Sequence, residues 1–228
     1  DSILKDLTNH LDQKGSNKHI IATNEGSAVG LAIGYYLNSK KLAAVYLQNS
    51  GLSNALNPLI SIAHPNVYSI PLLLIIGWRG APGFSDEPQH MVQGKITSNL
   101  LKLLNIKTCI LNNNNNLKSL SKLISYSKKN KRPVACLFKK NSLKSNKIFK
   151  MNKKVKSNLR REIVIEKILK KIDKSTKIIS TTGYTSRELY HIRKEKNFFS
   201  GRDFYMVGAM GHASVVALGV ALKNKNMV

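Results

Sequence analysis

The stretch Leu42-Ala43-Ala44-Val45-Tyr46-Leu47-Gln48-Asn49-Ser50-Gly51-Leu52-Ser53-Asn54 decides how the chain folds. Residues 42–47 form an apolar run of strand length, and amides and hydroxyls follow at once. Such a run suits a strand of a parallel sheet covered on both faces. Its C-terminal end is where such sheets meet ligands, and residues 48–54 stand there. The same residues also suit plain turn chemistry, and the spacing alone leaves both roles open.

Outward from this stretch the pattern repeats. Residues 55–63 read as a helix, 71–76 as a strand, 77–88 as a Gly- and Pro-rich loop, and 97–104 as a helix. A strand over 106–111, a helix over 117–128 and a strand over 133–138 follow. Toward the N-terminus lie a helix over 25–37, a short buried strand over His19-Ile20-Ile21-Ala22, and a helix over 2–13 with Ile3, Leu4, Leu7 and Leu11 on one face. The glycines of 25–37 cost helix propensity, so close backbone packing is expected to compensate. Strands separated by helices at this rhythm predict an α/β fold, a parallel sheet flanked by helices. Residues 139–158 break the pattern, being basic and thinly apolar, and read as a linker. Helix, strand, helix, strand and helix then follow over 159–172, 177–180, 185–194, 204–207 and 212–222. The chain thus divides into a complete domain over 1–138 and the truncated start of a second over 159–228. It reads as a piece of a longer protein.

Composition narrows the function classes. The 228 residues carry 37 Lys+Arg against 12 Asp+Glu, a formal charge of +25, and are 42% hydrophobic, enough for a real core. No apolar run approaches the ~18 residues of a membrane span, and the charged start Asp1-Ser2-Ile3-Leu4-Lys5-Asp6 is unlike a secretory signal. Two cysteines, Cys109 and Cys136, make neither a disulfide framework nor a four-ligand zinc site, so a reducing cytoplasmic setting is expected. The charge invites a nucleic-acid reading. Against it, the basic residues are 30 Lys and only 7 Arg, with 23 Asn beside them. That is the mark of drift over a tolerant surface rather than of forked phosphate and base contacts. A positive field still steers small anionic substrates.

Four further constellations can carry chemistry. Asn24-Glu25-Gly26 places a carboxylate where a strand passes into a helix, to hold a proton with a ligand or simply to cap backbone amides. Gly77-Trp78-Arg79-Gly80, running on to Asp86-Glu87-Pro88-Gln89-His90, sets the only Trp, a rare Arg and a His on one long loop. Arg79 is suited to forking onto an anion and His90 to moving protons, although a packed surface loop explains them equally. Ser180-Thr181-Thr182-Gly183-Tyr184-Thr185-Ser186-Arg187-Glu188 makes an anion site or an ordinary helix cap. Val207-Gly208-Ala209-Met210-Gly211-His212 lets backbone carbonyls approach a ligand, or merely packs strand on helix.

Taken together, and in this order, these blocks resemble the thiamine-diphosphate-dependent 2-oxo-acid decarboxylases. Along nearly the whole chain they are most similar to the phosphonopyruvate branch and its sulfopyruvate relatives. The resemblance implies a pyrimidine-binding domain in the front of the chain and the opening of a diphosphate-binding domain behind the linker. It implies that Glu25 hydrogen-bonds the cofactor's aminopyrimidine and promotes its imino form. Gly208 and Met210 would hold the bent cofactor, and Thr182, Gly183, Thr185 and Ser186 would approach its diphosphate. Asn49, Arg79 and His90 are the substrate contacts it suggests. The implied reaction is that of a carboxy-lyase, turning 3-phosphonopyruvate into phosphonoacetaldehyde and CO2 in phosphonate biosynthesis. The alternatives are sulfopyruvate or another small anionic 2-oxo acid as substrate, or an inactive truncated relic. Mg2+ is implied as well. The family binds it through a Gly-Asp-Gly segment and a later Asn, which are expected to lie beyond Val228, so no metal ligand is assigned in this chain. A homo-oligomer with its active site between subunits is expected.

Overall fold

The first unit of the chain is built on four strands, β1 (Ala43–Gln48), β2 (Leu72–Gly77), β3 (Lys107–Leu111) and β4 (Val134–Phe138). They pair in parallel in the order β1-β2-β4-β3. Central β2 and β4 are almost wholly buried, whereas edge β3 is exposed at three of its five residues. The most buried apolar runs thus fill the middle of the sheet, while β1 and the mixed β3 form its two rims. The computed structural model describes residues 2–13, 19–111, 117–143, 159–198 and 203–222. The chain divides into two compact units at 150/151, inside the stretch 139–158, of which residues 144–158 lie outside the described ones.

Five helices cover the sheet: α1 (Lys5–Gln13), α2 (Glu25–Ser39), α3 (Leu52–Pro58), α4 (Pro88–Leu103) and α5 (Leu117–Asn130). Val29 and Ile33 of α2, Ala55 of α3 and Leu101 of α4 join Leu47, Leu72, Leu74 and Ile76 in one core cluster. A second cluster gathers Leu4 with Leu123 of α5 around Leu73, Val134 and Cys136. Successive strand residues point to opposite faces, so Leu73 serves one cluster while Leu72 and Leu74 serve the other.

Three local expectations are corrected. No strand forms over 19–22: Ile20 and Ile21 are 68% and 79% exposed, and the segment joins no ladder. His19 pins this segment instead, with Nδ1 2.9 Å from Asp12 and Nε2 2.7 Å from the Tyr46 hydroxyl. The helix expected from 97 begins at Pro88, which suits a first helical position because its missing N–H needs no partner there. His90 therefore stands in the first turn of α4 and not on the loop. The small residues of α2 are only partly explained by close packing. A Cβ at Gly26 would lie 2.8 Å from the Asn54 carbonyl oxygen, whereas Gly30 and Gly34 have nothing within 4 Å.

The second unit holds α6 (Arg161–Leu169), β5 (Ile179–Ser180), α7 (Tyr184–Glu195), β6 (Phe204–Tyr205) and α8 (Ala213–Ala221), with β5 and β6 parallel. Leu169, Leu189 and Ile192 form its small core. Beside that core Arg193 meets Asp203 at 2.8 Å, both side chains nearly inaccessible, and the Tyr205 hydroxyl donates to Asp203 at 3.0 Å. Burial and the neighbouring carboxylate push the Tyr205 phenol up to about 12.

Leu74, fully buried at the centre of β2, sets the expected scale of core energetics. Leu74→Ala should lower unfolding free energy by about 2–5 kcal/mol in urea titration. Leu103→Ala, at an 83% exposed position, should change it by less than about 0.5 kcal/mol. Equal effects of the two would contradict the layered sheet.

Candidate functional site

Glu25 opens α2. Asn24 precedes it in extended conformation and caps the helix, its side-chain oxygen accepting from Ser27 N at 2.8 Å. Asn24 thus performs the capping, and the Glu25 carboxylate is left for another partner. It finds one in α3: Asn54 Nδ2 donates to Glu25 Oε2 at 2.9 Å. The rest of the side chain lies across Gly51, where a Cβ would stand 2.0 Å from Oε1 and 2.2 Å from Cδ. The second carboxylate oxygen has no protein hydrogen bond among the described residues and can take a ligand's N–H.

Asn49, just past β1, is 1% exposed. Its Nδ2 donates to the Arg79 carbonyl at 2.9 Å and to Thr97 Oγ1 at 2.9 Å, and its Oδ1 accepts from Arg79 N at 3.0 Å. This corrects the expectation that Asn49 meets substrate. Its amide is consumed in clipping the exit of β1 to the exit of β2.

The loop after β2 is fixed at Trp78–Gly80 and again at Asp86. Trp78 N donates to the Phe138 carbonyl at 2.8 Å, and its buried indole N–H donates to the Gly94 carbonyl at 2.9 Å. Asp86 gathers the Arg79 guanidinium bidentately, with Nε to Oδ2 at 2.7 Å and Nη2 to Oδ1. It also accepts from Gly80 N at 3.0 Å and Glu87 N at 2.9 Å. Arg79 Nη1 donates to Ser2 Oγ at 3.0 Å. Hydrogen bonding to Arg79 holds the Asp86 carboxyl well below the usual carboxylate range. Three of the five guanidinium N–H groups are thereby taken, and a substrate anion would meet only what is left. His90 is half-buried, and its Nδ1 has no hydrogen-bond partner among the described residues. Burial first, and the Arg79 charge second, push its pKa down and favour the neutral imidazole.

In the second unit, the turn from β5 into α7 passes through Gly183 at φ +89°, with nothing within 4 Å of a Cβ there. No side chain caps α7. Its first amides, with Thr182 and Thr185 half-buried nearby, fit an anionic group such as a diphosphate. Ser186 departs from expectation: it is buried, and its hydroxyl donates to the Thr181 carbonyl at 2.6 Å, so only its backbone N–H remains for an anion. Gly208 is half-buried and Met210 is 78% exposed. The segment expected to bind Mg2+ would follow Val228, which itself lies outside the described residues. Among the described residues no group of three or more His, Cys, Asp or Glu side chains could hold a metal ion. No helix there is long and apolar enough to cross a membrane.

Asn54, Gly51 and Asp86 join the site without being singled out by the sequence, although all three lie within the stretches quoted from it. Their signal is proximity in the chain to the ends of β1 and β2. The Asp86 pair is directly testable. A depressed carboxyl contributes stability that is present above its unfolded pKa, near ~4, and is lost as pH falls through the folded value. The thermal midpoint of the wild type should therefore drop faster below pH ~4 than that of Asp86→Asn. Parallel curves would remove the pair from the loop's stability.

The family described as thiamine pyrophosphate enzyme, N-terminal TPP binding domain, matches residues 2–101; thiamine pyrophosphate and thiamine diphosphate are one compound. Phosphonopyruvate decarboxylases of Streptomyces viridochromogenes and Streptomyces hygroscopicus are 32% and 31% identical over 237 aligned residues, covering 97% of this chain. The chain spans 58% and 57% of their lengths. The sulfopyruvate decarboxylase subunit alpha of Methanococcus maripaludis is 40% identical over 77 residues, 34% of this chain and 44% of that subunit. The α/β unit with its parallel sheet agrees with the family match. Residues 2–101 thus match the N-terminal TPP binding domain of thiamine pyrophosphate enzymes, and the chain is similar to phosphonopyruvate decarboxylases.

Proposed function

We propose that the chain carries the pyrimidine side, and part of the diphosphate side, of a thiamine-diphosphate-dependent carboxy-lyase that decarboxylates 3-phosphonopyruvate to phosphonoacetaldehyde and CO2. The observation that carries this reading is the carboxylate of Glu25, released from capping by Asn24 and held over Gly51 by Asn54. When bound, the cofactor supplies the electron sink into which the bond to CO2 breaks. Glu25 holds a proton at the aminopyrimidine ring nitrogen. Thr182, Gly183, Thr185 and the amides that open α7 receive the diphosphate, while the exposed Met210 and the Gly208 carbonyl meet the ring system. Arg79, locked in orientation by Asp86 and through its main chain by Asn49, attracts the phosphonate. His90, kept neutral, can accept or return a proton there. Mg2+ belongs to this reading as the usual companion of a bound diphosphate.

Two further parts of the reading have support on the surface and in the sequence. α2 bears Leu31 and Tyr35, each 51% exposed, further along the helix that Glu25 opens, which supports a second copy of the chain packing on this unit. Cys109 and Cys136 face each other with sulfurs 3.5 Å apart, and a reducing, cytoplasmic setting belongs to this reading because two cysteines make no disulfide framework. Sulfopyruvate is the competing substrate, because the chain also matches sulfopyruvate decarboxylase subunits of both the alpha and the beta kind.

Coupled aldehyde assays on the full-length protein with both acids test the proposal. Phosphonopyruvate should be turned over faster. Glu25→Gln should lower kcat by roughly 10²–10⁴-fold while the circular dichroism spectrum is retained. Normal turnover by Glu25→Gln would overturn the assignment, and preference for sulfopyruvate would replace the substrate.

A further inference from the structure

The contact between the head of α2 and the start of α3 is closer than core packing alone requires. Gly26 lies against the Asn54 carbonyl oxygen, with room for no Cβ, and the Glu25 side chain lies across Gly51 in the same way. Gly51 has φ −88° and ψ −3°, a conformation open to any residue, so the backbone does not call for glycine there. The space does. Across the gap so created, the Asn54 side chain donates to Glu25 Oε2. Asn54 itself is exposed, so this hydrogen bond serves no buried network and does little for the core.

The geometry points to Asn54 and Gly51 as positioning residues for the acid. Gly51 supplies a floor without a side chain, and Asn54 fixes the carboxylate plane by engaging one oxygen, so the other presents itself in a single direction. A glutamate side chain has three rotatable bonds. Without these two constraints, a half-exposed carboxylate at a helix terminus would sample several rotamers and meet the ring nitrogen only part of the time. The division of labour follows from the atoms. Asn24 caps the helix, Gly51 makes room, Asn54 orients, and Glu25 alone touches the cofactor. This inference rests on the catalytic role proposed for Glu25.

Two sets of measurements on the full-length protein test it. Without cofactor, thermal midpoints of Glu25→Ala, Asn54→Ala and the double variant should be non-additive, the double variant losing less than the sum. Strict additivity would overturn the contact. With cofactor and substrate, Asn54→Ala should lower kcat about 10- to 100-fold, the range of a hydrogen bond to a charged group, with the cofactor Kd changed less than ~3-fold. Gly51→Ala should do at least as much, by pushing the carboxylate off its floor. Asn54→Asp would set two carboxylates side by side and should move the acid limb of the kcat profile to higher pH, which a purely structural role would not do. Unchanged kcat in Asn54→Ala and an unmoved acid limb in Asn54→Asp, alongside an inactive Glu25→Gln, would overturn the positioning role and leave the catalytic one standing. An active Glu25→Gln would instead remove the reading on which both depend.

Discussion

The buried amide of Asn49 is the bond on which the site geometry depends. It stands at the exit of β1 and binds both main-chain groups of Arg79 at the exit of β2. Neighbouring parallel strands are otherwise joined only along their ladder, and beyond its last pair, Gln48 with Gly77, the two loops would be free to part. The amide extends the pairing by one side-chain rung. Through it, the turn that carries Gly51 and Asn54 and the loop that carries Arg79 and Asp86 become one rigid surface. Thr97 of α4 completes the rung from below at 2.9 Å, and its own hydroxyl donates to the Gln93 carbonyl at 2.6 Å.

That rung explains why so much of this region is glycine. A Cβ at Gly94 would lie 1.7 Å from the Gly80 carbonyl oxygen, and one at Gly80 would lie 1.9 Å from that of His90. The loop is pressed flat on α4 with only backbone between them, and Gly80 takes φ +65° to achieve it. The Trp78 indole then reaches the Gly94 carbonyl across the same contact. The lone tryptophan and the neighbouring glycines are parts of one arrangement.

The sheet was legible because β1, β2 and β4 are apolar runs, and β3 a mixed one, bounded by polar turns, a pattern that needs no knowledge of the partner strand. The run over 19–22 shows the limit of that logic. Ile20 and Ile21 are as apolar as any strand residue, yet a strand exists only in a ladder, and this segment does not pair with the open edge of β1. Glu25 was legible as the carboxylate that opens a helix, although the strand read before it does not form. Asn49 was legible as important but not as buried, because an amide after a strand looks the same in sequence whether it turns outward to a ligand or inward to Arg79. Asp86 and Asn54 were illegible for the same reason: their roles are set by partners 7 and 29 residues away. Ser186 has the look of a diphosphate contact in sequence, and only the fold shows its hydroxyl spent on Thr181.

The charge of +25 bears on a different level from all of this. Among the described residues no lysine is buried, and the only buried Lys or Arg is Arg193, matched by Asp203. Exposed lysines on long stems interact weakly with any one partner, and salt screens them over about 8–10 Å. They therefore contribute little to the geometry around Glu25. Their sum still raises the local concentration of small anions near the surface at low ionic strength. An anionic 2-oxo acid would benefit in its rate of encounter, and that benefit would fade with added salt. The orientation of the acid once bound would rest with Arg79 and Asp86, a pair close enough in contact that the same salt would hardly touch it. On the proposed function, substrate capture and substrate placement would fall to different charges, so a lysine-rich surface could drift without disturbing the proposed site.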